Sequence, residues 1–267
     1  ETFAEYQDEY GAGYGAYYGS TGYFEDLDVN GDGTDDLVVP TYDDASYGAK
    51  FSGQQVYHWD SFVPESANFG KAYEYKAAAN TPVDFFETEV GYTNNVELTG
   101  GNEDGTFRLS YTNFHTNGIL PNSKLNRNTV SFNGDYNINP KLKVGVSANV
   151  SLQDTKGRNS TGYSDNLMSQ MRQWWQVNVD VKAQEDIYKQ TGKNYSWNHL
   201  ASVGGDVLTG LYWDNPYWTR YENYQTDSRD RIYGNAFFTF DAFDWLDITG
   251  RVSLDHYTSL REERRAV

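Results

Sequence analysis

The residues with the most specific spacing form an acidic loop between positions 26 and 36. Its sequence is Asp-Leu-Asp-Val-Asn-Gly-Asp-Gly-Thr-Asp-Asp. Side-chain oxygens at alternate positions converge when the backbone curls, and a glycine in sixth place permits the sharp turn. Several hard oxygen ligands favour Ca²⁺ over a transition metal. We therefore predict a structural calcium site, whose ligands are Asp28, Asn30, Asp32, Thr34 and Asp36.

This acidic loop differs from an EF-hand in one position that matters for binding. Val39 stands where the bidentate glutamate in twelfth place would be, and no flanking helices are evident. The simpler alternative is a solvated acidic turn without an ion. A bound ion would close a long loop and neutralise its carboxylates.

A second set of candidate residues is aromatic and lies between positions 153 and 228. Such rings stack on sugars, bury peptide side chains and anchor protein interfaces. The alternative is that they pack this long segment against itself. The predicted substrate-binding or partner-binding residues are Trp174, Trp175, Trp197, Trp213, Tyr217 and Trp218.

The sequence has no recognisable catalytic motif, so we expect a protein that is not an enzyme. It contains no Cys, and its four His residues have no zinc-site spacing. We expect each His to lie on a surface or in a polar lumen. Acidic pairs are so numerous that composition does not exclude a glycosidase couple, but it singles out none.

Charge and hydropathy narrow the class of protein further. With 21 Lys and Arg against 38 Asp and Glu, the net charge is −17, which argues against a nucleic-acid partner. No apolar run approaches the ~20 residues of a membrane helix, and no signal segment opens the chain. Because its first residue is Glu1, we expect a processed or excised piece of a longer protein.

Three segments alternate apolar and polar residues with a period of two, which predicts six antiparallel strands in three hairpins. Short turns join the strands within a hairpin, and long connections separate the hairpins. Outer-membrane barrels typically have this alternation of short turns and long connections. They also have strands of about ten residues, with aromatic residues near the strand ends. The alternative is a soluble sandwich or jelly roll, which alternates in the same way.

Six strands are too few to close a membrane barrel, and open edges are costly in lipid. The fold prediction is therefore an all-β chain, an antiparallel transmembrane β-barrel segment with long extracellular loops, within a larger plugged barrel. The predicted divisions are a long extracellular loop region at 1–83, strands 1–4 at 84–152, an aromatic-rich extracellular loop at 153–228, strands 5–6 at 229–256 and the start of a further loop at 257–267.

Several runs of residues resemble SusC/RagA-type TonB-dependent transporters. The first begins with Asp84-Phe85-Phe86 and continues from Tyr92 to Gly101. Others are 107–113, 118–123, 125–128, Asn215-Pro216-Tyr217-Trp218, 229–231, Asp244-Trp245-Leu246 and 261–265. The similarity extends from about Trp59 to the end of the chain, and the combination is far more specific than any single run.

The resemblance implies nutrient import across the bacterial outer membrane through a plugged barrel. It implies oligosaccharide or peptide substrates, energy coupling through TonB, outer-membrane lipid around the barrel and a SusD-like surface lipoprotein as partner. The coupling and plug residues would lie outside this chain. The rival from another class is a secreted, calcium-stabilised β-sandwich module that binds glycans.

Overall fold

The computed structural model describes residues 5–15, 23–163 and 166–266. The ends of the predicted loop regions at 1–4 and 267, with 16–22 and 164–165, lie outside these described residues. The chain divides into two compact units. Unit 1 comprises residues 1–87, 159–223 and 265–267, and unit 2 comprises residues 88–158 and 224–264.

Unit 2 is a single antiparallel sheet in which every strand pairs with its neighbours in sequence. The predicted six antiparallel strands are therefore confirmed. The sheet is open, so the described residues form no closed barrel. Its strands, from one edge to the other, are β5 (Val90–Gly101), β6 (Gly105–Asn117), β7 (Lys124–Asn139), β8 (Leu142–Lys156), β9 (Tyr224–Phe243) and β10 (Leu246–Arg264).

Two strands extend well beyond their predicted bounds, at the end of the sheet away from the tight turns. β9 begins at Tyr224 and β10 continues to Arg264, so 257–264 is strand and not the start of a loop. The apolar alternation fades there, because Ser228, Asp230 and Thr258 occupy positions that are apolar nearer the turns. Backbone pairing continues without that signal, so a periodicity argument ends the strands too early.

The first predicted strand starts six residues later than expected. Instead of extended chain at Asp84, a 3₁₀ helix spans Pro82–Phe85. Thr81 precedes it, and its Oγ1 accepts a hydrogen bond from the Val83 N–H at 3.3 Å. Proline fits the first helical position because it has no N–H to leave unpaired.

Unit 1 contains helices as well as strands, so the chain is mostly β rather than all-β. Each α-helix begins after a side chain that caps its first turn: Asn166, Asp180 or Asn215. Among the described residues, no helix has the length and apolarity needed to cross a membrane. The elements are β1 (Glu25–Leu27), β2 (Asp36–Val38), β3 (Gln55–Val56), β4 (Tyr73–Glu74), α1 (Leu167–Gln173), α2 (Val181–Thr191) and α3 (Pro216–Glu222), with 3₁₀ helices at Trp59–Phe62, Pro82–Phe85 and Ala201–Val203.

The core of unit 1 joins two segments that are far apart in sequence. Gln176 Nε2 donates to the Pro40 carbonyl at 2.9 Å, and Asn178 accepts from the Ala12 N–H at 2.8 Å. Thr41 donates to Ser202 at 2.9 Å. The two regions predicted as separate long loops thus fold together as one unit.

Candidate functional site: an uncovered apolar face

The register of the sheet in unit 2 separates its side chains into two faces. Residues directly opposite each other in neighbouring strands share a face, and so do residues two apart in one strand. We define the apolar face as the side that carries Val146, and the polar face as the side that carries Ser147. Register partners of Val146 on either side are Gly134 and Ala236.

The apolar face carries a continuous band across all six strands. Residues that are register partners across the strands form a row. One such row contains Leu142, Phe240 and Ile248, and another contains Val150, Ile232 and His256. Between these two rows, the apolar face carries no Asp, Glu, Lys or Arg on β5–β10, all of which the structure describes. The band comprises Val96, Leu98, Phe107, Leu109, Tyr111, Val130, Phe132, Tyr136, Leu142, Val144, Val146, Ala148, Val150, Leu152, Ile232, Ala236, Phe238, Phe240, Ile248, Val252 and Leu254.

This apolar band is exposed rather than packed. Val146 and Val150, on a central strand, are 39% and 36% exposed, and Val252, on an edge strand, is 68% exposed. On the polar face of the same strand, Ser147 and Asn149 are both half-buried, and so less exposed than Val146 and Val150. A soluble sheet shows the opposite arrangement, so an exposed apolar area of this size indicates a membrane or partner surface.

The polar face is linked across strands by charged and polar pairs. Arg108 and Glu97 lie 2.6 Å apart, and Lys143 and Asp135 lie 2.9 Å apart. Arg231 binds Asp255 through two of its nitrogens. Ser131 donates to Asn149, and Ser147 donates to Asn133, both at 2.7 Å. Such side chains suit a surface that faces water.

Aromatic residues border the apolar band at its turn end. Phe243 and Trp245 stack with their ring centroids 5.6 Å apart, and both are exposed. Gly250 makes room for an aromatic ring on the apolar face, because a Cβ there would collide with Phe238. Amphipathic Trp and Tyr rings at the edge of an apolar band are the arrangement of membrane–water interfaces.

The predicted calcium loop connects β1 to β2 and is held by its own side chains. Asp28 accepts backbone N–H groups from Gly31 at 2.8 Å and from Gly33 at 2.9 Å. Asn30 accepts the Asp32 N–H at 2.8 Å, and Asp32 accepts the Thr34 N–H at 2.8 Å. Asp28 Oδ1 also accepts the Asp32 N–H at 3.1 Å, so both lone pairs of that oxygen are engaged within the loop.

The acidic side chains of this loop are nevertheless not gathered as three metal ligands. In the part of the chain that the structure describes, no group of three or more His, Asp or Glu is placed to hold a metal ion. Asp36 instead accepts the Val29 N–H at 3.1 Å, at the base of the loop. The calcium site stays a prediction, and Asp28 is the residue that organises the loop.

Most of the predicted aromatic binding residues lie in the core of unit 1. Trp175, Trp197, Trp213 and Tyr217 are buried, whereas Trp174 and Trp218 are half-buried. Trp175 and Trp197 pack with centroids 5.3 Å apart. Buried rings have no free face for a ligand, so self-packing describes these four, and only Trp174 and Trp218 keep accessible surface.

Two of the four histidines are buried in unit 1, against the expectation of surface positions. His199 is fully buried, with Nε2 3.0 Å from the Trp59 carbonyl and Nδ1 accepting the Ala201 N–H at 3.1 Å. Burial lowers its pKa to about 4. His58 is also buried, which lowers its pKa to about 3, and it stacks on Tyr73. No sequence motif marked either residue.

Comparisons with known proteins do not extend these findings. No family model matches the chain, and no curated protein matches it. The resemblance to SusC/RagA-type transporters therefore depends on the residue runs given above.

Proposed function

We propose that this chain forms part of the wall and the associated folded loops of a TonB-dependent outer-membrane transporter of the SusC/RagA type. The transporter imports oligosaccharides or peptides together with a SusD-like surface lipoprotein. Its apolar face contacts outer-membrane lipid, and its polar face lines the lumen. The chain itself performs no catalysis. The exposed apolar band is the observation that carries this proposal.

The height of the apolar band supports lipid contact. On β8 the rows without charged side chains run from Leu142 to Val150, which is about 27 Å along a strand that rises about 3.4 Å per residue. At a strand tilt of about 40°, these rows are about 21 Å tall, which is comparable to the ~25 Å apolar band of outer-membrane barrels. Aromatic residues at its turn end lie where an interfacial girdle would be.

The transporter class and its partners are supported by the sequence resemblance alone. The long connections carry the folded unit 1, which is consistent with large extracellular loops. TonB coupling is assigned to no residue of this chain. Closure of the barrel requires further strands beside β5 and β10, since an open edge leaves unpaired N–H and C=O groups in lipid.

The rival is a secreted, calcium-stabilised sandwich module that binds glycans. The acidic loop at 26–36 is the feature that favours it. In a sandwich the apolar face would be covered by a second sheet. Within the described residues, unit 2 contains no second sheet: the remaining sheets, β1–β2 and β3–β4, have two strands each and belong to unit 1.

A pair of substitutions on adjacent residues separates the two functions. Val146→Arg places a charge near the middle of the apolar band, where lipid would surround it. An arginine at the bilayer midplane costs about 2–4 kcal/mol in a barrel. We expect the full-length Val146→Arg protein to insert poorly into the outer membrane, measured as the folded fraction in envelope preparations.

Ser147→Arg is the matched control, because it adds the same side chain one residue along on the polar face. We expect insertion close to that of the unaltered protein. Equal insertion of both variants would contradict lipid contact at Val146. A soluble, secreted product in every case would favour the sandwich module.

A further inference from the structure

The apolar face changes character at its end farthest from the tight turns. Beyond the Val150 row, successive rows carry asparagine, histidine, aspartate and lysine side chains on the same face. A groove of about 660 Å³ crosses the sheet there and reaches all six strands. Its lining includes Tyr92, His115, Lys124, Asn126, Asp154 and Lys156.

Two lysines stand side by side in this groove. Lys124 and Lys156 are direct partners in the register of β7 and β8, which places their Cα atoms about 4.5–5.5 Å apart. Neither forms an ion pair with an acidic side chain of the described residues. Lys156 instead lies over the Tyr224 ring, 4.2 Å from its centroid.

Like charges directly opposite each other destabilise a strand pair. An anion held between the two ammonium groups would remove that repulsion and form charge-assisted hydrogen bonds. A phosphate has the charge and the number of acceptor oxygens to bind both lysines. The lysine pair therefore points to a phosphorylated ligand.

The remaining lining suits a sugar. Tyr92 and His115 stack with centroids 5.1 Å apart, which presents an aromatic surface. Asn113 donates to the side chains of Asn126 at 3.2 Å and Asn128 at 2.9 Å, which fixes a row of planar amides. Amides exchange hydrogen bonds with hydroxyl groups in both directions.

Two carboxylates also line the groove and restrict the ligand. Asp154 and Glu262 would repel a phosphate placed against them. They would accept hydrogen bonds from sugar hydroxyls. Glu262 lies in the register row of the two lysines, two strands from Lys156, and Asp154 lies two residues from Lys156 on β8. The charge pattern fits a sugar phosphate whose phosphate lies between the lysines and whose hydroxyls reach the carboxylates, rather than a simple anion.

The position of the groove identifies the source of such a ligand. The groove lies on the same face as the apolar band, beyond the end of the band that is farthest from the tight turns. If the band contacts acyl chains, the groove lies at the level of the lipid headgroups. We propose that it binds the phosphorylated sugar headgroup of an outer-leaflet glycolipid. This inference depends on the proposed function, because only an outer-membrane location supplies that lipid.

The test uses the full-length protein that carries this sequence, reconstituted in phosphatidylethanolamine nanodiscs with a fixed fraction of lipopolysaccharide. Native mass spectrometry counts the lipopolysaccharide molecules retained. The variant is Lys124→Ala with Lys156→Ala, and the control is Lys141→Ala with Lys143→Ala at the turn end of the sheet. We expect the groove variant to retain lipopolysaccharide about tenfold less well, since charge-assisted bonds are lost, and the control to retain it normally.

Each outcome is informative because insertion is measured separately, by flotation with the nanodiscs. Equal retention by the groove variant and the unaltered protein would overturn the glycolipid site while leaving the proposed function intact. Failure of the unaltered protein to insert would overturn the proposed function. Soluble glucosamine 1-phosphate is the remaining probe. If it competes fully at concentrations near those of the lipid, the groove is a site for free sugar phosphates, and the lipid assignment is wrong.

Discussion

At the scale of single residues, His199 is a polar side chain that is buried in unit 1 in its neutral form. It lies between the Trp59 carbonyl and the Ala201 N–H, with Thr41 Oγ1 3.2 Å from its Nδ1. Burial removes the water that would stabilise the charged imidazolium, which lowers the pKa of His199 from 6.5 to about 4.

Acidification is therefore expected to destabilise unit 1. Between pH 6.5 and about 4 the unfolded chain binds a proton at His199 that the folded chain does not bind. The contribution of His199 to the free energy of unfolding is fully present above pH 6.5. It decreases as the pH is lowered towards 4, by up to about 1.4 kcal/mol per pH unit. His58 acts in the same direction, with a folded pKa of about 3. Asp43 opposes them, because burial raises its folded pKa to about 6.

The variant His199→Gln isolates one contribution to this pH dependence. We expect the free energy of unfolding of the variant to depend less steeply on pH between pH 6.5 and 4. The difference in slope corresponds to the loss of up to one proton that the chain takes up on unfolding. Urea titrations followed by tryptophan fluorescence measure it, because every tryptophan except Trp245 belongs to unit 1. An unchanged slope would mean that His199 is protonated when folded.

Trp197 tests whether the buried aromatic residues serve packing or binding. Its ring is fully buried, so Trp197→Ala removes a large core side chain and is expected to cost about 3–5 kcal/mol of unfolding free energy. Trp218→Ala is the control, since Trp218 is half-buried and keeps accessible surface. We expect it to cost much less. Similar small costs for both variants would contradict the packing role of Trp197.

At the scale of elements, the loop between β1 and β2 depends on Asp28. This carboxylate accepts N–H groups from Gly31, Asp32 and Gly33 and so fixes the backbone with or without an ion. Gly31 and Gly33 both have positive φ, 78° and 85°, which the curled backbone requires. The sequence predicted this curl correctly, because its glycine spacing specifies the backbone.

Calcium addition is expected to raise the melting temperature of unit 1. The variant Asp28→Ala should abolish this rise and also lower the melting temperature without calcium, by the equivalent of about 1–2 kcal/mol, since backbone donors lose their acceptor. Asp35→Ala is the control, because Asp35 is outside the predicted ligand set. Thermal unfolding with millimolar calcium or with a chelator provides the measurement. No calcium response in the unaltered chain would show that the loop is a solvated turn.

The strands of unit 2 illustrate which parts of an element are readable from sequence. β8 alternates without a break from Leu142 to Leu152, so its two faces follow from the period of two. The ends of β9 and β10 were missed because both faces become polar there. The 3₁₀ helix at Pro82–Phe85 was missed because the alternation at Asp84–Phe86 is too short to separate a turn from a strand.

At the scale of the whole molecule, sequence reasoning identified the sheet but not unit 1. Unit 1 is assembled from 5–87 and 159–223 through contacts such as Gln176 with Pro40, which no local pattern encodes. The groove at Lys124 and Lys156 was missed for the same reason, because these residues become neighbours only through the register of the strands.

The central claim is that one face of the sheet contacts lipid and the other contacts water. The chain has no cysteine, so single cysteines can be introduced along β8 and spin-labelled in the full-length protein in bilayers. The positions are Val144, Val146 and Ala148 on the apolar face, and Lys143, Ser147 and Asn149 on the polar face.

The measurement is the collision of each label with oxygen, which concentrates in lipid, and with a water-soluble nickel chelate. We predict that labels at the three apolar-face positions collide mainly with oxygen and that labels at the three polar-face positions collide mainly with the chelate, alternating at every residue. Apolar-face labels that reach neither reagent would be buried against protein, as in a sandwich. That result would contradict the transporter account.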